Sequence, residues 1–263
     1  MRPDDMEHAN FLPIEIAAAL IALAALILYP AGMYISGKKH KKWPFHRFML
    51  WSAGVVLAAS ALAGPLAQLS HMNFTAHMMG HLLLGMLAPL LLVFGRPMTL
   101  LMRTLTVQSA RKLSRLLNSR YISFITNPLI AATLNIGGLF LIYMTGLFTM
   151  MHMSAWLYAL IHLHVFLAGY LFTISLIYID ITTHRYSYMY RAIVLILALG
   201  FHKVLSKLIY AAPPEGISKA AGESGALLMY YGGDIIDVGL IIILCWQWYR
   251  ARSPKIQKTA GPA

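Results

Sequence analysis

The sequence predicts an all-α, polytopic membrane bundle of about seven transmembrane helices. Three observations predict it: 59% of the 263 residues are hydrophobic and only 11% charged, the apolar residues fall in continuous runs, and the basic residues fall between those runs. Lipid offers backbone amides no partners, so a spanning chain must form helices or a closed barrel, and a barrel needs alternating polar and apolar positions. Runs such as Ala17 to Leu28 and Ile235 to Trp246 are unbroken, which selects helices.

Hydropathy places the spans at Phe11–Ile35, Phe48–Ser70, Thr75–Phe94, Pro128–Thr149, Ala155–Ile179, Ala192–Ala211 and Ala226–Trp248. Each is close to the ~20 residues that a hydrocarbon core requires. The opening stretch Met1 to Asn10 is acidic and has no basic region before the first apolar run, so span one reads as retained and not as a cleaved signal. Within span three Pro89 predicts a kink, and Pro213-Pro214 ends span six. Residues 1–252 read as a single domain, and 253–263 as a disordered cytoplasmic tail.

Orientation follows from Lys and Arg. Of the 21 basic residues, all but Arg2, Lys219, Lys203 and Lys207 lie in the first, third and fifth connections or in the tail. The positive-inside rule then puts the N-terminus outside and the C-terminus in the cytoplasm, in the inner membrane of a bacterium. The third connection, Gly95 to Asn127, mixes Leu105, Leu113, Leu116 and Leu117 with Arg111, Lys112 and Arg115. It reads as an amphipathic surface helix held by anionic lipids. The net charge of +12 is spread over short loops and not gathered in a basic domain, which argues against nucleic acid as a partner. A lone thiol, Cys245, read as buried inside the bundle in span seven, allows no internal disulfide and argues against thiolate metal chemistry.

The histidines divide by side. His40, His46 and His184 fall in inner loops, whereas His8, His71, His77, His81, His152, His162, His164 and His202 belong to the outer half. His77 and His81 stand four apart and project from one face of span three, a spacing that lets two imidazoles share one ion. His162, His202 and Asp234 fall at similar depth on three other spans, and ionisable groups inside a membrane pair, line a cavity or bind an ion. Methionines flank the outer histidines: Met72, Met78, Met79, Met150, Met151 and Met153. Thioether with imidazole is a soft, uncharged donor set that suits Cu(I). The first-choice ligands are His77 and His81, followed by His162, Met78 and His202. His71, Met72, His152, His164 and Asp234 are secondary candidates.

Blander roles compete with each of these. A membrane histidine commonly bonds across helices, and methionine commonly fills apolar gaps. Asp234 and Asp237 are better read as partners of Lys203 and Lys207 than as ligands. A b-type haem between His81 and His162 or His202, with space from Gly80, Gly85 and Gly169, is the main alternative. A metal-free scaffold for oxidase subunits is another.

The stretch from Phe74 to Pro97, with His77-Met78-x-x-His81, then Ala88-Pro89, a Leu run and Gly95-Arg96-Pro97, resembles the signature of the CtaG family of caa-type cytochrome c oxidase assembly factors. His162 followed by Phe166-Leu167-Ala168-Gly169-Tyr170-Leu171-Phe172 is a second match, and Gly225-Ala226-Leu227-Leu228-Met229-Tyr230 a third. With seven spans in order, the likeness covers nearly the whole chain. It implies a membrane chaperone and not an enzyme, one that helps copper reach the catalytic subunit of a haem–copper oxidase; another copper chaperone is a further candidate partner. Three positions depart from the family pattern. Tyr143 stands where the family often has histidine, Ile161 where a Glu commonly precedes the span-five histidine, and Ala221-Gly222-Glu223 where an acidic-Gln-Gln run is usual.

Overall fold

The computed structural model describes the backbone of residues 3–253 and the side chains of residues 11–253; the tail beyond Ser253 and the side chain of His8 lie outside the described residues. Those residues form helices joined by short connections and contain no strand. Helix α1 (Pro3–Lys39) is followed by α2 (Phe45–Leu62) and α3 (Pro65–Met72), which share span two across a break at Gly64, where φ is +87°. Span three runs through α4 (Phe74–Leu82), a π turn at Leu83–Leu87, and α5 (Ala88–Gly95). Three shorter helices then cover the third connection: α6 (Pro97–Thr104), α7 (Val107–Leu117) and α8 (Arg120–Ile125). Helix α9 (Pro128–Ala132), a second π turn at Thr133–Gly137, α10 (Gly138–Met144) and α11 (Leu147–Met153) follow. The last three helices are α12 (Ala155–Leu176), α13 (Tyr188–Ala211) and α14 (Lys219–Arg252).

Among the described residues, six helices are long and apolar enough to cross a membrane, and the bent pair α9–α10 with α11 makes up to seven. The chain is therefore a multi-pass membrane protein. Span four differs from the expected straight Pro128–Thr149: it stops at Met144, and α11 turns away by 80° across Thr145-Gly146. Thr145 leaves the helix in an extended conformation (φ −126°, ψ 175°) and returns its hydroxyl to the Leu141 carbonyl at 2.5 Å, closing the end of α10.

The α4–α5 segment lies at the centre, packed against α2, α12 and α14, while α1 sits at the edge against α2 and α6. Large apolar side chains such as Ile21, Leu28, Ile196 and Ile235 point outward, as a lipid solvent permits. Cys245 is among the outward-facing residues and not inside the bundle as expected.

The π turn in span three has a local cause. Pro89 has no N–H to give, and its ring clashes with a regular helical path, so the ladder widens and Ala88 N–H reaches back to the Leu83 carbonyl. Glycine at 169 lets α12 come close here, because a Cβ there would collide with the Gly85 carbonyl oxygen.

The basic connections meet at one end. Asp180, in the fifth connection, accepts hydrogen bonds from the backbone N–H of Met98 (2.7 Å) and Thr99 (2.9 Å), and from the Thr99 hydroxyl. A carboxylate thus caps the first turn of α6. Thr183 donates to the Leu117 carbonyl, and Asn127 bonds Tyr186 and Tyr190. Arg191, expected in a loop, is instead 1% exposed. Its Nη1 donates to the Leu176 carbonyl at 2.6 Å, and its guanidinium lies between the rings of Tyr178 and Tyr188. Helix α7 buries no residue of its own, consistent with a helix lying on the surface of the bundle.

Candidate metal site

The opposite end of the bundle holds the histidine cluster. Its registers are set by two helix caps. Asn73 accepts from the N–H of Thr75 and Ala76 to start α4, and Ser154 accepts from Leu157 N–H to start α12. From these fixed starts His77 and His81 face inward from α4, and His162 from α12.

His77, His81, His162, Met151 and Tyr143 line one small cavity of about 20 Å³, with Leu84, Ile142, Ile161 and Val165 as its apolar walls. That is room for one water molecule or one ion. The ring of His77 lies 6.2 Å, centre to centre, from His162 and 5.9 Å from His152. His152 in turn stands 6.0 Å from His71, so imidazoles continue from the cavity toward the end of the bundle.

Hydrogen bonds decide which nitrogens are on offer. His162 Nδ1 donates to the Tyr158 carbonyl at 2.9 Å, and His152 Nδ1 donates to the Phe148 carbonyl at the same distance. Each ring therefore keeps its Nε2 lone pair, the arrangement that orients a ligating imidazole in metal sites. His77 Nε2 lies 3.0 Å from the Tyr143 hydroxyl.

The other expected residues fall elsewhere. His202 does not share the first cavity; it faces a neighbouring one, beside His81. Met78 is fully buried but turned toward α14, where it packs by Gly225, and Met151 occupies the thioether position that Met78 was expected to fill. Met72 is 84% exposed. His164 Nε2 donates to the Leu134 carbonyl at 3.2 Å, within the second π turn, and so belongs to the packing of span four. Asp234 forms an ion pair with Lys203, as expected, whereas Asp237 makes no ion pair among the described residues and lines the second cavity instead. The polar groups of four spans expected at one depth thus divide between two cavities that meet at His81, with Asp234 outside both. Among the described residues, no three His, Cys, Asp or Glu side chains already converge on one metal-binding point. The cluster is built from pairs, with Met151 and Tyr143 between them.

Two of its members escaped the sequence. Met151 sits beyond the bend after span four, and Tyr143 stood out only as a departure from a familiar pattern. The sign that pointed to Met151 was the dense run Met150-Met151-His152-Met153.

A bundle of apolar helices that buries imidazoles, a thioether and a phenol at one end defines a polytopic membrane protein with a soft-donor interior. The comparisons with known proteins agree in class and go further. The profile of the cytochrome c oxidase caa3 assembly factor family (Caa3_CtaG) matches residues 27–251, and the chain belongs to that family. It is 33% identical over 210 residues to uncharacterized proteins of Mycobacterium bovis and Mycobacterium tuberculosis, and 28% identical to one of Mycobacterium leprae. Each match covers 76% of this chain but 32% of the relative, so the chain spans 32% of the length of these curated relatives. No solved structure matches the chain.

Proposed function

We propose that the protein assists assembly of a haem–copper oxidase by holding Cu(I) as cargo at His77, His81, His162 and Met151 and passing it toward the catalytic subunit. The observation that carries this reading is the ion-sized cavity on which three imidazoles and a thioether border within an apolar bundle. Two of the flanking rings have their protonated nitrogens occupied by backbone carbonyls, so a cation meets a lone pair and not a proton. Neutral donors at the edge of a membrane suit a monovalent ion that must be released again. No catalytic step is part of this reading.

By charge placement the basic end faces the cytoplasm of a bacterial inner membrane, and the histidine end faces outward. Copper arrives from another copper chaperone at the outer end, beside His71 and His152. The basic inner connections rest on anionic lipids.

Copper content of the detergent-purified protein, loaded with Cu(I) and desalted, tests the reading. The wild type is expected to retain copper and a His77→Ala/His81→Ala variant to lose it. Equal copper in both rejects the proposal. The haem alternative needs a pocket of at least ~300 Å³, the lower bound for small-molecule and cofactor sites, against about 20 Å³ for each histidine-lined cavity. A Soret band in the purified protein would nevertheless favour it. A metal-free scaffold predicts that the same double variant still supports an active oxidase.

A further inference from the structure

Beyond the first cavity, α4 presents a second one. His81, His202, Asn135, Thr173 and Asp237 line a separate space of about 20 Å³ deeper in the bundle. His81 borders both spaces and is the one histidine that does so. The Nε2 atoms of His81 and His202, two residues that line this inner space, are both buried and have no hydrogen-bond partner. The two residues are 7% and 4% exposed, so no bulk solvent satisfies them. Asp237 is 4% exposed and has no ion-pair partner among the described residues.

Two buried imidazole nitrogens without a partner, beside a carboxyl group that has no ion pair, are costly unless something else occupies the pocket. The geometry suits a cation. The rings of His81 and His202 stand 6.3 Å apart, centre to centre, and are tilted by 31°. Two imidazoles that approach one ion from opposite sides, each with a metal–nitrogen bond of roughly 2 Å, have centres about 6 Å apart. The backbone makes room for this arrangement, since a Cβ at Gly233 would lie 2.8 Å from Cε1 of His202.

We infer that this inner cell is a second station for the same cation, and that His81 is the residue across which the ion passes from the outer station. The inference rests on the copper-handling reading above. Transfer is ligand exchange without redox chemistry: the ion keeps its bond to His81, the bonds to His77, His162 and Met151 break, and a bond to His202 forms. The carboxylate of Asp237 offsets the charge of the ion at the deeper position. An ion moved this way advances along α4 and never leaves a nitrogen donor.

The test is a Cu(I) titration of the full-length protein in detergent against a chromophoric Cu(I) chelator, under anaerobic reducing conditions. A His77→Ala/His152→Ala/His162→Ala variant, which disables the outer station, should still hold one Cu(I). Adding His202→Ala should weaken that binding by roughly 100-fold. Loss of all copper from the folded triple variant, or copper that is indifferent to His202, overturns the inner station while leaving the outer one standing. A wild type that binds no Cu(I) overturns both. Should the triple variant misfold, copper X-ray absorption on His202→Gln decides. Confining the ion to the outer cell should raise the sulfur scattering from Met151, and a spectrum unchanged from wild type rejects the inference.

Discussion

An imidazole that gives its Nδ1 proton to a carbonyl one turn back has a single nitrogen left to offer, and both His152 and His162 are in that position. Tyr143 holds His77 in a comparable way through its hydroxyl. Removing that oxygen leaves the ring packed but unanchored. Tyr143→Phe is therefore expected to weaken Cu(I) binding about tenfold, measured by chelator competition, with little change in stability. Spacing alone revealed that His77 and His81 share a face, because four residues of helix fix that relation whatever surrounds it. It could not tell Met78 from Met151. A helix with apolar residues on every side has no periodic mark of which face turns to which neighbour, so Met78 was as good a ligand candidate as any. The structure turns it toward Gly225.

At the scale of elements, the spans were legible because a hydrocarbon core demands long apolar runs, and the breaks were not. Thr145-Gly146 lies within an unbroken apolar stretch, so hydropathy carried span four straight through a bend of 80°. The same bend brings Met151 and His152 back to the cluster, which hid part of the site along with the fold. Arg191 was counted with the loops because a charge at the start of a span normally marks its edge. Here two tyrosine rings and the Leu176 carbonyl make its burial tolerable. Asp180 shows what a single polar residue does for an element: it caps α6 from a connection 82 residues further along the chain. Asp180→Ala should lower stability by about 1–2 kcal/mol, the usual worth of a helix cap, seen as a reduced melting temperature in detergent. Copper retention should be untouched, since the cap lies at the opposite end from the histidines.

For the whole molecule, the charge asymmetry predicts one orientation, with the basic end in the cytoplasm. A fluorescent protein fused at the C-terminus should fluoresce, since it folds in the cytoplasm. Alkaline phosphatase inserted in the Pro213–Ser218 connection should be active, since that enzyme requires the outer side. The reverse pattern would place the histidines on the cytoplasmic side and remove the rationale for delivery from outside. The class of fold was readable from composition alone. What composition could not supply was the division of the histidines into two cells, because that depends on which helices touch α4 and at what height.

The Asp180 clasp also bears on the order in which the protein is made. A ribosome delivers Met98 well before Asp180, so the first turn of α6 waits, uncapped, while spans four and five are still being synthesised. The histidine end waits likewise, since His162 arrives only with α12 and His202 only with α13. On the proposed copper-holding role, a nascent chain could not complete either cavity until most of its length has been inserted, so a half-built protein would not compete for the ion.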